Sequence, residues 1–170
     1  SFTTVVANTN IQGEVSYKTD TPVVLLDGDP VDGDLASYQL GGSYVFEPTP
    51  LWDDANLTFE LAGAYITSQD SAELLYDDHA TVINLRMELA YLNLLPGLDL
   101  KVPIFLRRGL DGNILETEMV EDSSAFNITF QFVYLNNFTT SIGYSNFFDG
   151  GENTYINDRD NVSVSFAYSF

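Results

Sequence analysis

The sequence contains no cysteine, one histidine and only six lysine or arginine residues among its 170 positions. Without cysteine, neither a disulfide framework nor a thiolate metal site can form. A single histidine without cysteine argues against zinc chemistry. The six basic residues stand against 25 acidic ones, which gives a net charge of −19. Nucleic-acid binding needs clustered lysine and arginine, so we expect no nucleic-acid partner.

No apolar run reaches the roughly 18 residues of a membrane helix, yet 45% of the residues are hydrophobic and 14% are aromatic. That content excludes a disordered acidic chain. The mean hydropathy is −0.01. Transmembrane β-strands give such a neutral average because their apolar residues occupy alternate positions. The chain opens at Ser1 without a signal peptide, so we expect a mature chain or the C-terminal part of a longer one.

The C-terminal residues alternate strictly between apolar and small or polar side chains. Val162, Val164, Phe166, Tyr168 and Phe170 share one parity, as they would on one face of a β-strand. A soluble sandwich strand shows the same alternation. A chain that ends on Phe170 after alternating aromatics resembles the terminal strand of bacterial outer-membrane barrels. That resemblance implies that Phe166, Tyr168 and Phe170 form the signal read by the barrel-assembly machinery.

The same alternation recurs along the chain and predicts about nine strands of roughly 9 to 13 residues. A tilted membrane strand needs about 9 to 11 residues, whereas strands of soluble proteins usually have about 5 to 6. Pro103 lies inside one of the predicted strands and cannot donate a ladder hydrogen bond. We therefore expect a bulge or a local break at Pro103.

Charged residues in the central parts of the predicted strands all fall on the polar parity. Lysine or arginine facing lipid costs about 2 to 4 kcal/mol at mid-bilayer, so this parity indicates an apolar lipid-facing side and a polar interior. The interior would be either a water-filled pore or a lumen filled by salt bridges. The predicted interior residues are Glu14, Lys18, Glu60, Arg86, Glu88, Asp99, Lys101 and Arg107.

The predicted connections alternate between short and long. The short ones are 8–9, 47–54, 94–97 and 135–137, and the long ones are 19–34, 68–79, 108–122 and 147–159. The long ones hold 17 of the 25 acidic residues. Outer-membrane barrels have short periplasmic turns and longer extracellular loops. The pattern therefore predicts acidic extracellular loops.

Two groups of residues suggest specific chemistry. Asp27, Asp29, Asp32 and Asp34 have the carboxylates that Ca²⁺ prefers, but no glutamate closes an EF-hand loop. They form either a solvated acidic loop or a site for Ca²⁺, including ions that bridge to lipopolysaccharide. His79 with Asp77, Asp78 and Ser71 contains the residue types of a hydrolytic site. All four lie on one predicted loop, and catalysis needs them to converge, so we expect no enzyme.

Four segments resemble a family of proteobacterial outer-membrane proteins of poorly defined function. They are residues 10–17, 91–98, 143–148 and 158–165. Members of that family are often encoded beside resistance-nodulation-division exporters and a lipoprotein-carrier-like periplasmic protein. They are longer than this chain. The resemblance implies the C-terminal part of a barrel that transports hydrophobic or lipid-like compounds, and it implies no catalytic residues.

The predicted fold is all-β, an antiparallel up-and-down transmembrane β-barrel with eight or nine strands visible in residues 1–170. We expect it in the Gram-negative outer membrane, in contact with outer-membrane lipid and lipopolysaccharide. Exporter or periplasmic carrier components are expected partners. The first functional hypothesis is a channel or transport component. The second is a structural outer-membrane protein with acidic ion- or partner-binding loops, and the third is a soluble calcium-binding sandwich.

Overall fold

The computed structural model describes residues 1–114, 119–150 and 159–170. Its strands form one sheet in which each strand pairs with the next along the chain, always antiparallel. The strands are β1 (Phe2–Val6), β2 (Thr9–Val24), β3 (Pro30–Phe46), β4 (Asp54–Ile66), β5 (His79–Leu95), β6 (Leu98–Asp111), β7 (Ser124–Tyr134), β8 (Phe138–Phe148) and β9 (Asn161–Tyr168). A single 3₁₀ turn, Ser71–Glu73, interrupts this pattern in the described chain.

The predicted all-β, up-and-down arrangement of about nine strands is confirmed. The sheet is open, because β1 and β9 are its two edges and do not pair with each other. Within the described ranges, no helix is long and apolar enough to cross a bilayer.

The strand register places the apolar parities of neighbouring strands on one face. Directly paired residues of an antiparallel sheet point to the same side, and Phe130 pairs with Ile142, which pairs with Val164. Leu85 likewise pairs with Phe59 and with Leu106. We call this side the apolar face and the opposite side the polar face. In the central parts of the strands, the single-layer sheet therefore keeps the two residue classes on opposite faces.

The apolar face is uncovered. Phe130 is 41% exposed, Phe166 70% and Val164 58%. No second sheet lies over them among the residues described, since all nine strands belong to one layer. A soluble sandwich would bury this face between two sheets, and the structure provides only one.

Aromatic rings lie across glycines on the apolar face. A Cβ added at Gly63 would overlap the ring of Tyr38, and one at Gly13 would overlap the ring of Phe2. The hydroxyls of Tyr38 and Thr81 are hydrogen-bonded at 3.0 Å, which fixes the ring across β4. Such aromatic–glycine pairs stabilise register because the ring covers the gap that the missing side chain leaves.

Pro103 interrupts the ladder between β6 and β7, as predicted. Lys101 pairs with Gln131 and Ile104 with Ile128, while Val102 and Pro103 have no partner on β7. The register is the same on both sides of the gap, so the feature is a local break rather than a bulge. On its other edge, Pro103 still pairs with Glu88 of β5.

The first predicted long connection is wrong. Residues 19–34 continue β2 and β3 as a long hairpin, in which Thr21 pairs with Gly33 and Val24 with Pro30, and only 25–29 remain as a connection. The other long connections are 67–78, 112–123 and 149–160. Residues 115–118 and 151–158, which belong to the predicted long connections 108–122 and 147–159, lie outside the described residues. We call the end of the sheet with these connections the loop end and the opposite end the turn end.

A small hydrophobic core lies on the polar face at the loop end, and we call it the loop-end core. It is built by strand residues together with residues from two connections. Its buried members are Val23, Leu35, Ala64, Ile66, Leu74, Ala80 and Ile114, with Leu25, Val31 and Met119 packed against them. A Cβ at Gly109 would overlap the Val120 carbonyl, and one at Gly112 would overlap that of His79. These two glycines let the 112–123 connection fold onto the sheet.

Replacing Leu74 by alanine should loosen the loop-end core, because Leu74 is 5% exposed and belongs to its buried cluster. Loss of a buried leucine costs about 2 to 5 kcal/mol. Amide hydrogen exchange at Leu26, whose N–H donates to the Glu73 carbonyl, should therefore accelerate about 30-fold or more. Leu75→Ala, at the exposed neighbouring position, is the control and should change exchange little. Equal exchange in both variants would contradict the assignment.

Candidate functional site

All eight predicted interior residues lie on the polar face of the sheet. Within each strand they share the parity opposite to the apolar side chains, and the register aligns them across strands: Glu60 pairs with Asn84, which pairs with Arg107. Four of the eight are acidic and four are basic, so their formal charges cancel. The net charge of −19 therefore lies elsewhere, chiefly at the loop end.

A hydrogen-bonded network connects β3, β4 and β5 on the polar face. Glu60 accepts hydrogen bonds from the side-chain amides of Gln39 and Asn84, the latter at 3.0 Å. Arg86 Nη2 lies 3.4 Å from Glu88 Oε2. Charge-assisted hydrogen bonds of this kind fix side-chain orientation. The acidic residues of β4 and β5 are thus held against the sheet wall.

Four other predicted interior residues of the polar face divide into two groups. Asp99, at the turn end, accepts a hydrogen bond from the Asn93 backbone N–H at 2.8 Å and so stabilises the turn between β5 and β6. Glu14, Lys18 and Lys101 make no side-chain hydrogen bond or ion pair within the ranges that the structure describes. Their charged groups are therefore available to solvent or to a solute beside this face.

The polar face has a second part without charge. On β7, β8 and β9 its central positions are small or neutral polar side chains, namely Asn127, Thr129, Gln131, Ser141, Gly143, Ser145, Ser163 and Ser165. The division is visible in the sequence, because β7, β8 and β9 carry no charged residue on the polar parity. The residues predicted to face the interior are all charged, so the hydroxyl-rich part lay outside that prediction.

The four aspartates of the predicted calcium segment are distributed along the hairpin. Asp27 Oδ1 accepts from the Asp29 N–H at 3.1 Å at the hairpin tip. Asp32 and Asp34 lie within β3, and Asp34 Oδ2 accepts from the Tyr17 hydroxyl at 2.8 Å. In the described part of the chain, no group of three or more metal-ligating side chains is placed to hold an ion. Calcium binding by this segment stays a prediction without an assembled site.

His79 lies between two carboxylates at the loop end. Its Nδ1 is 2.7 Å from Asp78 Oδ1, and its Nε2 is 3.1 Å from Asp111 Oδ2. Asp77 instead accepts from the Asn113 side-chain amide at 2.8 Å. A general base needs a free ring nitrogen within hydrogen-bond reach of its nucleophile. Both nitrogens are occupied, so this arrangement does not prepare His79 to activate Ser71.

The contacts between His79, Asp78 and Asp111 shift the pKa values of His79 and Asp78. His79 and Asp78 lie at the loop end, ahead of the apolar segment of β5, which begins at Ile83. The hydrogen bond to Asp78 and the charge of Asp111 raise the pKa of His79. The hydrogen bond from His79 lowers the pKa of Asp78. The charged imidazolium is therefore favoured and connects the ends of β5 and β6.

The loop-end core was not predicted from the sequence. Leu74 and Ile114 are large apolar residues within acidic connections, and Val23 and Val31 lie within a segment assigned to a loop. Apolar residues in an acidic segment were the available signal. Alternation along a strand gives no information about which strand face a connection folds onto.

The only histidine of the chain provides a clean titration. The His79 contribution to stability should be fully present below about pH 6.5, the unfolded pKa, and be lost as the pH rises through its raised folded pKa. The Asp78 contribution to stability should be present above about pH 3.9, the unfolded pKa, and be lost as the pH falls through the lowered folded pKa of Asp78. NMR should therefore give a His79 midpoint above about 6.5, which Asp78→Asn lowers.

Asp77→Asn is the matched control, because Asp77 bonds to Asn113 instead of His79. It should leave the midpoint almost unchanged. A wild-type midpoint at or below about 6.5 would show that the two carboxylates do not hold the imidazolium.

Comparison with known proteins gives one match. The whole chain, residues 1–170, matches the family described as "Protein of unknown function (DUF1302)". No curated protein and no solved structure matches the chain. The match extends over every strand of the sheet and both faces described above. The chain therefore belongs to the DUF1302 family, a family of proteins of unknown function.

Proposed function

We propose that this chain forms part of the wall of a β-barrel in the Gram-negative outer membrane, where it acts as a channel or transport component. The observation that carries the proposal is the uncovered apolar face of a single-layer, nine-stranded antiparallel sheet. An apolar surface of this extent is unfavourable in water and marks an interaction with protein or membrane. Acyl chains would cover it along its whole width.

The dimensions of the apolar face support a membrane band. The nine residues from Phe126 to Tyr134 rise about 30 Å along the strand. A tilt of about 40° reduces that height to roughly 23 Å, close to the ~25 Å apolar band of outer-membrane barrels. β2, β3 and β5 are longer and extend past this band at the loop end.

Barrel closure accounts for the two free edges. β1 and β9 each leave one row of backbone donors and acceptors without a strand partner in the described sheet, and closure abolishes such edges. Further strands or another copy of the chain would complete the barrel. Phe166, Tyr168 and Phe170 are exposed and would be accessible to the barrel-assembly machinery.

The polar face would form the interior of the barrel. Its balanced charges and hydroxyl-rich part suit a water-filled space, and the buried loop-end core lies at one end of that space. A hydrophobic or lipid-like substrate is the expectation from the resemblance to the outer-membrane family. Periplasmic carrier or exporter components would meet the turn end.

The structural alternative also has a specific observation in its favour. The Gln39–Glu60–Asn84 network and the Arg86–Glu88 pair lie against the wall, and the loop-end core closes over the same strands. If the rest of the interior is filled in the same way, the protein is a closed barrel whose acidic loops bind partners.

Removal of detergent tests the membrane assignment. We expect the purified protein to precipitate or aggregate without detergent, and to migrate faster on a gel before boiling than after it. A monomer that stays in solution without detergent would contradict the proposal.

Conductance in a planar bilayer then distinguishes the channel from the structural protein. A channel should give steady conductance, and Leu74→Ala should raise it by loosening the loop-end core, whereas Leu75→Ala should not. Inserted protein that remains silent in all three forms would favour the structural alternative.

A further inference from the structure

Leu26 and Leu75 lie exposed at the loop end, where the β2–β3 hairpin meets the 67–78 connection. Leu25 and Leu74 form an antiparallel bridge between the two segments. The Leu26 N–H donates to the Glu73 carbonyl, and the Leu75 N–H donates to the Val24 carbonyl, each at 3.0 Å. Leu74 is buried in the loop-end core, so the bridge fixes both segments to the sheet.

Leu26 and Leu75 directly follow the bridged pair and remain 63% and 41% exposed. We call these two residues the leucine patch. They are diagonal neighbours across the bridge, a relation that places side chains roughly 7 to 8 Å apart. Because backbone bonds already order both segments, a partner would bind the leucine patch with little further loss of conformational entropy.

The surroundings of the leucine patch carry charge of one sign. Residues 19–34 and 67–79 contain nine acidic residues and no lysine or arginine. Asp27 directly follows Leu26, and the backbone carbonyl of Glu73 accepts the hydrogen bond from the Leu26 N–H. His79, which is already held by Asp78 and Asp111, is the only group of these segments that can become positive. The field around the patch therefore attracts cations and repels anions.

We infer that the leucine patch binds a cationic amphipathic partner, a peptide or protein segment in which lysine or arginine accompanies large apolar side chains. The apolar side chains would contact Leu26 and Leu75, and the basic groups would face the surrounding carboxylates. A second copy of the chain would bring the same acidic surroundings, and like charges placed together oppose association. An anionic lipid surface is disfavoured for the same reason.

Fluorescence anisotropy with a labelled leucine–lysine amphipathic peptide tests this inference. The protein is kept in a non-ionic detergent, and detergent alone is titrated as the blank. We expect saturable binding that weakens as salt screens the charges. The double variant Leu26→Ser and Leu75→Ser should bind about tenfold or more weakly, because both apolar contacts are lost.

Leu51→Ser is the matched control, since Leu51 is a 70% exposed leucine at the turn end, close to Asp53 and Asp54. Its affinity for the peptide should equal that of the wild type. A leucine–glutamate peptide of the same length should not bind. The inference is overturned if the cationic peptide does not bind the wild type, if the double variant keeps wild-type affinity, or if the anionic peptide binds equally well.

Discussion

The strict separation of apolar and polar side chains across a single-layer sheet is the constraint on which the rest of the structure depends. Side chains alternate along each strand, so a slip of one residue in any pair would turn a whole row to the wrong face. The register keeps Phe130, Ile142 and Val164 in one row and places Glu60 beside Asn84 on the other face. Aromatic rings that lie across glycines help to hold this register.

The loop end differs from the rest of the sheet in the side chains of its polar face. There the polar face becomes apolar, and two connections fold onto it instead of extending into solvent. Close backbone approaches at Gly109 and Gly112 allow this packing. The acidic residues remain outside the loop-end core, so this end combines a compact interior with a highly negative surface.

Alternation was sufficient to predict the strands and their apolar parity, and the missing N–H of Pro103 predicted a bulge or a local break there, because these features depend on local sequence. It was insufficient for residues 19–34, where Pro22, Pro30, Gly33 and several aspartates are typical turn residues. Burial of Val23 and Val31 beside Leu35 outweighs those local preferences and extends both strands. Asp78 is adjacent to His79 in the sequence, but the contact between His79 and Asp111, 32 positions away, depends on the pairing of β5 with β6, in which Thr81 lies opposite Asp111.

The apolar face requires an apolar environment and the polar face an aqueous one, and this requirement distinguishes a membrane-spanning sheet from a soluble one. Spin labels at adjacent residues of one strand test this most directly. Because the chain has no cysteine of its own, a single introduced cysteine fixes the position of each label. In lipid bilayers, a label at Val164 should be relaxed by oxygen, which concentrates in acyl chains, and a label at Ser165 by a water-soluble nickel complex. Equal access of the nickel complex to both positions would show that the apolar face does not contact lipid.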